Sequence, residues 1–442
     1  MSLRHSVFII MMGALTGTVH AQDSTAGKPP AVWTLQACLD YAKQYNIQLN
    51  SLRLAQKTAQ QNYLLSRAAR QPNLTGGVGL TYTHNGSAAV NSFQQSSFNN
   101  SFSLSSGMTI YNGGFISDDI RQKNLLIESA NLNLMQTEDN ITLGITQAYL
   151  GILLAKENVV YVQDLINTTS AQVEQGRKEY EAGSIARNAY IELQANLASD
   201  KYNLVTAQSA VRQNKLTLKQ LLQLPFQDSF DIVSPDTIIA KEAVAPLDTV
   251  VAIALRTRPE VKNAQLGIDI SRLDLAKAKT GYLPFLSASA AIGGAYSSSN
   301  SNDYFKQLDN SFFQQAGVSL SIPIFTKRTV KTAVENAKIE IDQSRLNLQN
   351  TQTTLALTIE QAYINVVNAQ GQYDAAVEGL EANKESYRIA SEELKVGATN
   401  IVEYLQQKTL YTQAFQVYLQ AKYNAALSVR IYDFYMGIAV KL

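Results

Sequence analysis

Two long segments without proline constrain the fold of this chain more than any other feature. Residues 115–181 and 328–395 contain no proline, so each can form one helix of about 100 Å at 1.5 Å per residue. Within both segments, apolar and small residues recur at alternating steps of four and three. Such spacing over several heptads is typical of left-handed coiled-coil packing. The sequence therefore predicts two very long helices that pack along their neighbours.

The alternating steps define the positions expected at the buried seam of each long helix. The first series consists of Ile141, Ile145, Ala148, Ile152, Ala155, Val159, Val162, Ile166, Thr169, Val173, Gly176 and Tyr180. The second consists of Leu355, Ile359, Ala362, Val366, Ala369, Tyr373, Ala376, Leu380, Asn383, Tyr387, Ala390 and Leu394.

The two segments belong to an internal repeat. The tripeptide that ends at Tyr149 returns 214 positions later, ending at Tyr363, and the same offset carries Gly183 onto Gly397. A fixed offset of this kind indicates one architecture present twice. Each half is predicted to contain a helix, two short strands, a very long helix, a break at glycine and another helix.

The repeat gives the domain organisation. We expect a first repeat over residues 22–225 and a second over 247–442, with an irregular equatorial segment at 226–246. The first repeat is predicted to contain strands at about 73–84 and 98–111, the long helix 115–181 and a helix 187–224. The second is predicted to contain helices within 247–280, strands at about 285–297 and 312–323, the long helix 328–395 and a helix 400–436. The chain reverses at Gly183 and Gly397.

The N-terminus has the pattern of a secretory signal peptide. Arg4 and His5 precede an apolar run over residues 7–19, and a small residue, Ala21, ends the leader. The run is too short to span a membrane. We expect cleavage after residue 21 and export from the cytoplasm. Two interpretations of Cys38 stay open, a lipidation site or a small buried helix residue.

The four predicted strands share one pattern, in which apolar residues alternate with small or polar ones. In the first strand the apolar positions include Leu74, Val78, Leu80 and Tyr82, with threonine and glycine between them. About ten residues of such alternation is the signal of a transmembrane β-barrel strand. Two ordinary half-buried hairpins are the alternative. Asn- and Ser-rich loops are predicted at 84–97 and 297–310.

Four strands cannot close a barrel. Open strand edges are not tolerated in lipid, and the smallest closed bacterial barrels have about eight strands. The strands must therefore be completed by other copies of the chain.

The residue inventory argues against an enzyme. Beyond the leader the chain has a single histidine, His84, and a single cysteine, Cys38, so a zinc cluster or a Cys/His catalytic pair is nearly excluded. No phosphate- or dinucleotide-binding glycine pattern is present. Lys and Arg number 37 against 36 Asp and Glu, which removes the electrostatic case for nucleic acid. We expect no enzyme activity, no metal and no cofactor.

Three short motifs, together with the leader and the repeat, resemble the TolC-like outer-membrane efflux family. The motifs are the glycine pair Gly113-Gly114 after a strand, the Gly-Tyr-Leu-Pro sequence of residues 281–284, and the Val-Gly-Ala-Thr-Asn-Ile-Val-Glu sequence of residues 396–403. Each motif is weak alone, but their order and spacing make the resemblance specific over about residues 33–437.

The resemblance implies a mixed α+β membrane protein. It implies a homotrimer with a shared 12-stranded outer-membrane β-barrel, continuous with a long periplasmic α-helical barrel of coiled-coil helices. It also implies an outer-membrane location with an extension into the periplasm. The implied partners are outer-membrane lipid, a periplasmic adaptor protein and an inner-membrane efflux pump or secretion transporter.

The resemblance also points to two groups of site residues at the periplasmic tip. The group expected at the reversals, where an adaptor docks, is Gly183, Ser184, Ile185, Gly397, Ala398, Thr399, Asn400 and Ile401. The group expected at the gate is Glu403, Gln406, Leu394 and Asn188.

At the gate the chain departs from the family pattern. The Tyr and Arg that hold the tip shut in relatives correspond to Leu394 and Thr399 here, and the Thr-Asp pair that they contact corresponds to Asn188 and Ala189. We therefore expect closure through apolar packing of Leu394 and Ile401, with amide hydrogen bonds from Asn188 and Asn400. The constriction carboxylates correspond to Glu403 and Gln406. Glu403 is either a solvated first-turn carboxylate favoured by the helix dipole or one member of a cation-attracting ring.

Three functions stay open on sequence alone. The first is the exit duct of a tripartite efflux system, which conducts substrates passively. The second is the exit duct of a type I protein secretion system. The third is a periplasmic coiled-coil structural protein without a pore, although such a spacer needs no lipid-facing strands.

Overall fold

The computed structural model describes residues 32–84, 96–225, 230–235 and 237–440. The signal peptide predicted for residues 1–21 lies outside these ranges.

The first half of the chain contains strands β1 (Val32–Trp33), β2 (Thr75–His84) and β3 (Ser96–Asn112). Its helices are α1 (Leu35–Tyr45), α2 (Ile47–Ala68), α3 (Phe115–Glu181) and α4 (Arg187–Leu222). The single helix expected before β2 is therefore two helices. The interruption is at Asn46, whose side chain accepts hydrogen bonds from the backbone of Gln48 and Leu49 and so begins α2.

The second half begins with strand β4 (Asp231–Ile232) and helices α5 (Leu247–Thr257) and α6 (Pro259–Lys279). Strand β5 (Phe285–Ser297), helix α7 (Tyr304–Ser311) and strand β6 (Phe313–Ser321) follow, and then helices α8 (Thr329–Lys395) and α9 (Ile401–Tyr435). A loop was expected throughout 297–310, and that expectation was wrong. Asp303 accepts a hydrogen bond from the Phe305 N–H and starts a helix there.

Strands β2, β3, β5 and β6 form one antiparallel sheet in the order β2-β3-β5-β6. Its register places Val78 opposite Phe102, and Phe102 opposite Gly294. Opposed residues lie on the same face of a sheet, so the even-numbered residues of these pairs form one surface. That surface carries the apolar side chains, whereas the other face carries mainly Ser, Thr and Gly. We call them the apolar face and the polar face of the sheet.

Two helical hairpins extend from this sheet. The first hairpin consists of α3 and α4, the second of α8 and α9, and α9 packs on α3. Both long helices contain 67 residues, which corresponds to about 100 Å. Among the described residues no helix combines the length and the apolar character needed to cross a membrane.

Most seam positions of the long helices are buried, as their spacing predicted, and all but one of the others, Leu380 among them, are half-buried. Buried members include Ile145, Ile152 and Ile166 in α3, and Ile359 and Val366 in α8. The largest buried cluster joins α1, α3 and α4 and also contains the side chain of Trp33. Tyr180, at the end of the first series, is 39% exposed in the single chain.

The equatorial segment is fastened to the first hairpin. Its strand β4 pairs in parallel with β1, and Asp231 forms ion pairs with Lys156 of α3 and Lys215 of α4. Burial by itself raises the pKa of the Asp231 carboxyl, but hydrogen bonds from both lysines and from the Ile232 N–H hold it at about 2. Asp231 is therefore ionised at neutral pH.

Cys38 is fully buried in α1, and burial raises the pKa of its thiol to about 12. The second interpretation of this residue, a small buried side chain on the first amphipathic helix, is the one that the structure favours.

We expect Ile359→Ala to lower the thermal stability of the folded protein markedly. Ile359 has no exposed surface, and removing a buried aliphatic side chain costs about 2–5 kcal/mol, because a cavity adds to the lost transfer energy. The midpoint of heat denaturation in mild detergent measures this. The exposed residue Lys384, on the same helix, provides the control Lys384→Ala. Equal midpoints for the two variants would contradict the assigned seam.

Candidate gate and inter-hairpin contact

Both hairpins reverse through the same backbone motif. At the first reversal, Gly183 has φ 77° and the Ser184 N–H donates to the Glu179 carbonyl oxygen at 2.8 Å. At the second, Gly397 has φ 74° and the Ala398 N–H donates to the Glu393 carbonyl oxygen, also at 2.8 Å. These are Schellman motifs, in which glycine adopts a left-handed conformation that other residues avoid. The two reversals together form what we call the tip.

The residues predicted for adaptor docking lie on the surface of the tip. The exposed members are Gly183, Ser184, Gly397, Ala398 and Asn400, and the half-buried members are Ile185, Thr399 and Ile401. A side chain added at either glycine would meet no atom within 4 Å, so the tip presents open backbone.

The predicted gate residues do not form one cluster within a single chain. Leu394 is half-buried at the end of α8, whereas Asn188, Glu403 and Gln406 are exposed. Among the described residues no hydrogen bond joins Asn188 to Asn400. The side-chain oxygen of Asn400 accepts instead from the Glu403 N–H at 3.0 Å, which makes Asn400 the N-cap of α9. The proposed role of these residues in closure stays a prediction.

Glu403 has a local structural role besides any role at the gate. Its carboxylate accepts a hydrogen bond from the Thr399 hydroxyl at 3.0 Å, and it lies in the first turn of α9, where a negative charge is favoured by the helix dipole. The side chain is nevertheless exposed, so it can still influence ions near the tip.

The most unusual side-chain cluster lies inside the protein, where α9 meets the first hairpin. Lys408 of α9 is 3% exposed and Asp200 of α4 is 5% exposed. The Lys408 ammonium lies 2.6 Å from the Asp200 carboxylate, and it donates to Thr169 of α3 and to Asn196, each at 2.8 Å. An ammonium has three protons, so these three acceptors satisfy it. We call these four residues the polar layer.

Burial and ion pairing have opposite effects on the pKa of Lys408 in the polar layer. Burial lowers the pKa of the Lys408 ammonium from its ordinary value, while the hydrogen bond and the charge of Asp200 act in the opposite direction. Thr169 adds a contact of 2.7 Å to the same Asp200 oxygen. Neither charged group can lose its partner without leaving a charge in a dry interior.

Two tyrosines of α9, Tyr404 and Tyr411, lie about one turn on either side of Lys408 in the sequence. Tyr404 is fully buried; its hydroxyl lies 2.9 Å from that of Tyr387 and accepts a hydrogen bond from Gln172 of α3. Tyr387 stacks on Tyr411, with ring centroids 5.3 Å apart. Burial raises the pKa of Tyr404, so its hydroxyl stays protonated at neutral pH and remains a hydrogen-bond donor.

A second charged contact joins the hairpins farther from the tip. Lys422 of α9 lies 2.9 Å from the Glu157 carboxylate of α3, and Tyr423 donates to the same carboxylate at 2.8 Å. Lys422 comes 14 residues after Lys408 in the sequence, which places it about 21 Å farther from the tip along α9. The stacked pair of Tyr161 and Phe415, with centroids 3.7 Å apart, lies between the two contacts in the sequence of α9.

The sequence prediction missed the polar layer, although a signal for it was present. Continuing the steps of four and three through α9 gives Tyr404, Lys408, Tyr411, Phe415, Tyr418, Lys422, Ala425, Val429 and Tyr432. The two lysines therefore occupy seam positions, where a charged residue is rare unless it is paired. Their partners could not be found in this way, because Asp200 lies 208 positions from Lys408.

The amino-acid sequence is similar to those of known outer-membrane proteins over most of its length. The outer membrane efflux protein family matches residues 38–223 and 250–430. Outer membrane protein TolC of Vibrio cholerae is 24% identical over 420 residues, with 90% of each chain covered. Toxin and drug export protein A of Aggregatibacter actinomycetemcomitans is 22% identical, with 67% of this chain and 62% of that protein covered.

Solved structures share the fold. The Campylobacter jejuni CmeC outer membrane channel superimposes with a TM-score of 0.77 at 20% identity, covering 91% of this chain and 86% of that one. The open state of the Neisseria gonorrhoeae MtrE outer membrane channel gives 0.75 at 17% identity, covering 94% and 93%. The relatives are outer-membrane channel proteins rather than enzymes, and outer-membrane location extends to this chain. The chain belongs to the outer membrane efflux protein family.

Proposed function

We propose that this chain is the outer-membrane exit duct of a tripartite efflux system. It conducts substrates passively from a periplasmic adaptor and an inner-membrane transporter across the outer membrane. One observation carries the proposal: strand β3 ends at Asn112, and α3 begins at Phe115. The sheet with its apolar face is therefore directly continuous with helices of about 100 Å, which suits a duct that begins in lipid and continues through the periplasm.

The proposed assembly is a homotrimer. Strands β2 and β6 each have one neighbour in the sheet, and an open edge in lipid leaves backbone groups without hydrogen bonds. Three chains supply 12 strands, enough for a closed barrel. The equal lengths of α3 and α8 support the internal duplication, and duplicated hairpins suit a helical barrel built from equivalent units.

The proposed partners meet the duct at its periplasmic end. The exposed backbone around Gly183 and Gly397 gives an adaptor access to the tip, and the inner-membrane transporter acts through that adaptor. Outer-membrane lipid surrounds the apolar face of the sheet.

Polypeptide export is a second candidate. The name of one relative, toxin and drug export protein A, joins both kinds of cargo. A passive duct needs no reactive residues for either cargo. The third possibility, a structural protein without a pore, loses support from membership of an efflux family.

We further propose that the polar layer limits which part of the gate can move. Lys408 comes seven residues after Ile401, the first residue of α9, or about 10 Å along the helix. Separating α9 from α4 at that level would expose an unpaired Lys408 and an unpaired Asp200 to an apolar interior. Opening is therefore confined to the part of the second hairpin between the polar layer and Gly397.

The main test is assembly and conductance. The mature protein in mild detergent is expected to have three times the mass of one chain, and in planar bilayers it is expected to form channels. A folded monomer that conducts no ions would contradict the proposal.

In an efflux-deficient host, restored dye export supports the efflux function, whereas restored secretion of a toxin without dye export favours the second candidate.

Removing one charge from the polar layer should destabilise the protein far more than removing both. We expect Lys408→Met and Asp200→Asn each to cost about 3–5 kcal/mol, because each leaves the opposite charge buried and unpaired. The double variant should be clearly more stable than the sum of the single losses implies. Heat denaturation in detergent provides the readout. Strictly additive losses would show that the two groups are not coupled.

Glu403→Ala should reduce the preference of the channel for cations, because three carboxylates near the axis attract cations to the mouth. The reversal potential across a salt gradient in planar bilayers measures this preference. Glu174→Ala removes an exposed carboxylate from α3 of the first hairpin and serves as the control. If both variants keep the selectivity of the original protein, Glu403 does not line the mouth.

A further inference from the structure

Helix α7 lies on the apolar face of the sheet, beside the ends of β3 and β5 that are distant from the long helices. The ring of Tyr304 is 4.9 Å from that of Tyr296, and its hydroxyl accepts a hydrogen bond from the Asn100 side chain at 3.2 Å. Asn100 and Tyr296 are opposed in the sheet register and belong to the apolar face. Tyr304 therefore covers a polar amide that would otherwise interrupt this face.

The first turn of α7 lies on the apolar face, whereas its last turn lies at the edge of β5. The Ser311 hydroxyl accepts a hydrogen bond from the Ala295 N–H at 2.8 Å and donates to the Ala295 carbonyl oxygen at 2.7 Å, and β5 pairs with β6 only as far as Gly293. Helix α7 therefore takes the place of β6 beside the distal end of β5. Its first turn, with Tyr304, is the part that lies over the sheet of its own chain.

One side of α7 is fixed to the protein. Gln307 is 5% exposed, accepts from the Ser297 N–H at 2.9 Å and donates to the carbonyl oxygens of Asn300 and Asn302. The Asp303 cap fixes the start of the helix. These bonds determine which residues face outward.

The outward side of α7 that adjoins the apolar face of the sheet carries apolar residues. Phe305 is 78% exposed, and Phe312, the C-cap residue that follows α7, is 50% exposed; the half-buried Leu308 lies between them in the sequence at a helical spacing. Tyr82 and Phe98, a pair at the same end of the sheet, are exposed on the apolar face as well. Aromatic side chains gather in this manner at membrane–water interfaces.

We propose that α7 is an interfacial helix that inserts Phe305, together with its C-cap residue Phe312, into the boundary between headgroups and acyl chains of the outer leaflet. The occupant of its exposed side is lipid, because that side continues the apolar face of the sheet. Lys306 and Asp309, which are exposed, suit the hydrated headgroups. The proposal rests on the membrane placement of the sheet given in the proposed function.

Tryptophan fluorescence provides a direct test, because the chain has one tryptophan. Trp33 is 2% exposed and lies in the core cluster of α1, α3 and α4, far from the sheet. Phe305→Trp is reconstituted into vesicles of phosphatidylcholine that carries bromine either near the headgroup end or near the end of the acyl chain. We expect loss of most of the added emission with bromine near the headgroup and a smaller loss with bromine at the chain end.

Two control variants separate failure of this inference from failure of the proposed function. Val318→Trp reports the apolar face of β6, and Val402→Trp reports the tip; both residues are exposed in the single chain. Quenching of Val318→Trp together with an unquenched Phe305→Trp would overturn only the role of α7. If neither is quenched more than Val402→Trp, the sheet itself is not in the membrane and both proposals fail. Phe312→Trp repeats the measurement at the residue that follows α7.

Discussion

Burial of a mainly apolar seam along two 67-residue helices is the constraint on which this structure depends. A helix gains most of its stability from packing of one face rather than from its own hydrogen bonds. At about 100 Å, each turn of such a helix needs a neighbour beside it. The return helices α4 and α9 supply that neighbour over much of the length, and α6 packs on both α3 and α8 closer to the sheet. The seam therefore determines the hairpins, and the hairpins determine where the chain must reverse.

The polar layer is the main departure from this apolar packing. Helices α3, α4 and α9 bring Thr169, Asp200 and Lys408 to the same level. A buried ion pair is weak support for stability, because desolvation offsets much of the attraction. Such a pair fixes the register of one helix against another, because a shift of either helix along its axis would leave both charges unpaired. The second contact, between Lys422 and Glu157, repeats the same chemistry farther along α9. The two contacts together hold the second hairpin to the first, in agreement with the proposal that opening is confined to the tip.

In the sheet, at the end of the molecule opposite the tip, the main requirement is that backbone groups form hydrogen bonds rather than that side chains pack. The sheet has an apolar face that favours lipid, but its two outer strands lack a second neighbour. In water such edges would be solvated, whereas in lipid they require other strands. The proposed placement of the sheet in the membrane and its proposed assembly with further copies thus depend on one physical requirement, the pairing of the edge strands. Helix α7 adds aromatic surface beside the same face.

The sequence by itself determined the elements whose signals are local and periodic. The steps of four and three and the absence of proline predicted the long helix α3, which spans Phe115–Glu181. All eight ends of the alternating strands lie within two residues of the expected bounds. The motifs around Gly397 and Gly113 indicated the family. Tertiary structure alone decided that the loop expected before β6 contains an eight-residue helix, because so short an element depends on contacts such as those of Gln307 with the preceding turn. It also decided that Lys408 is buried against Asp200. Seam spacing marks Lys408 as unusual, but an ion pair between residues 208 positions apart follows only from how the two hairpins pack.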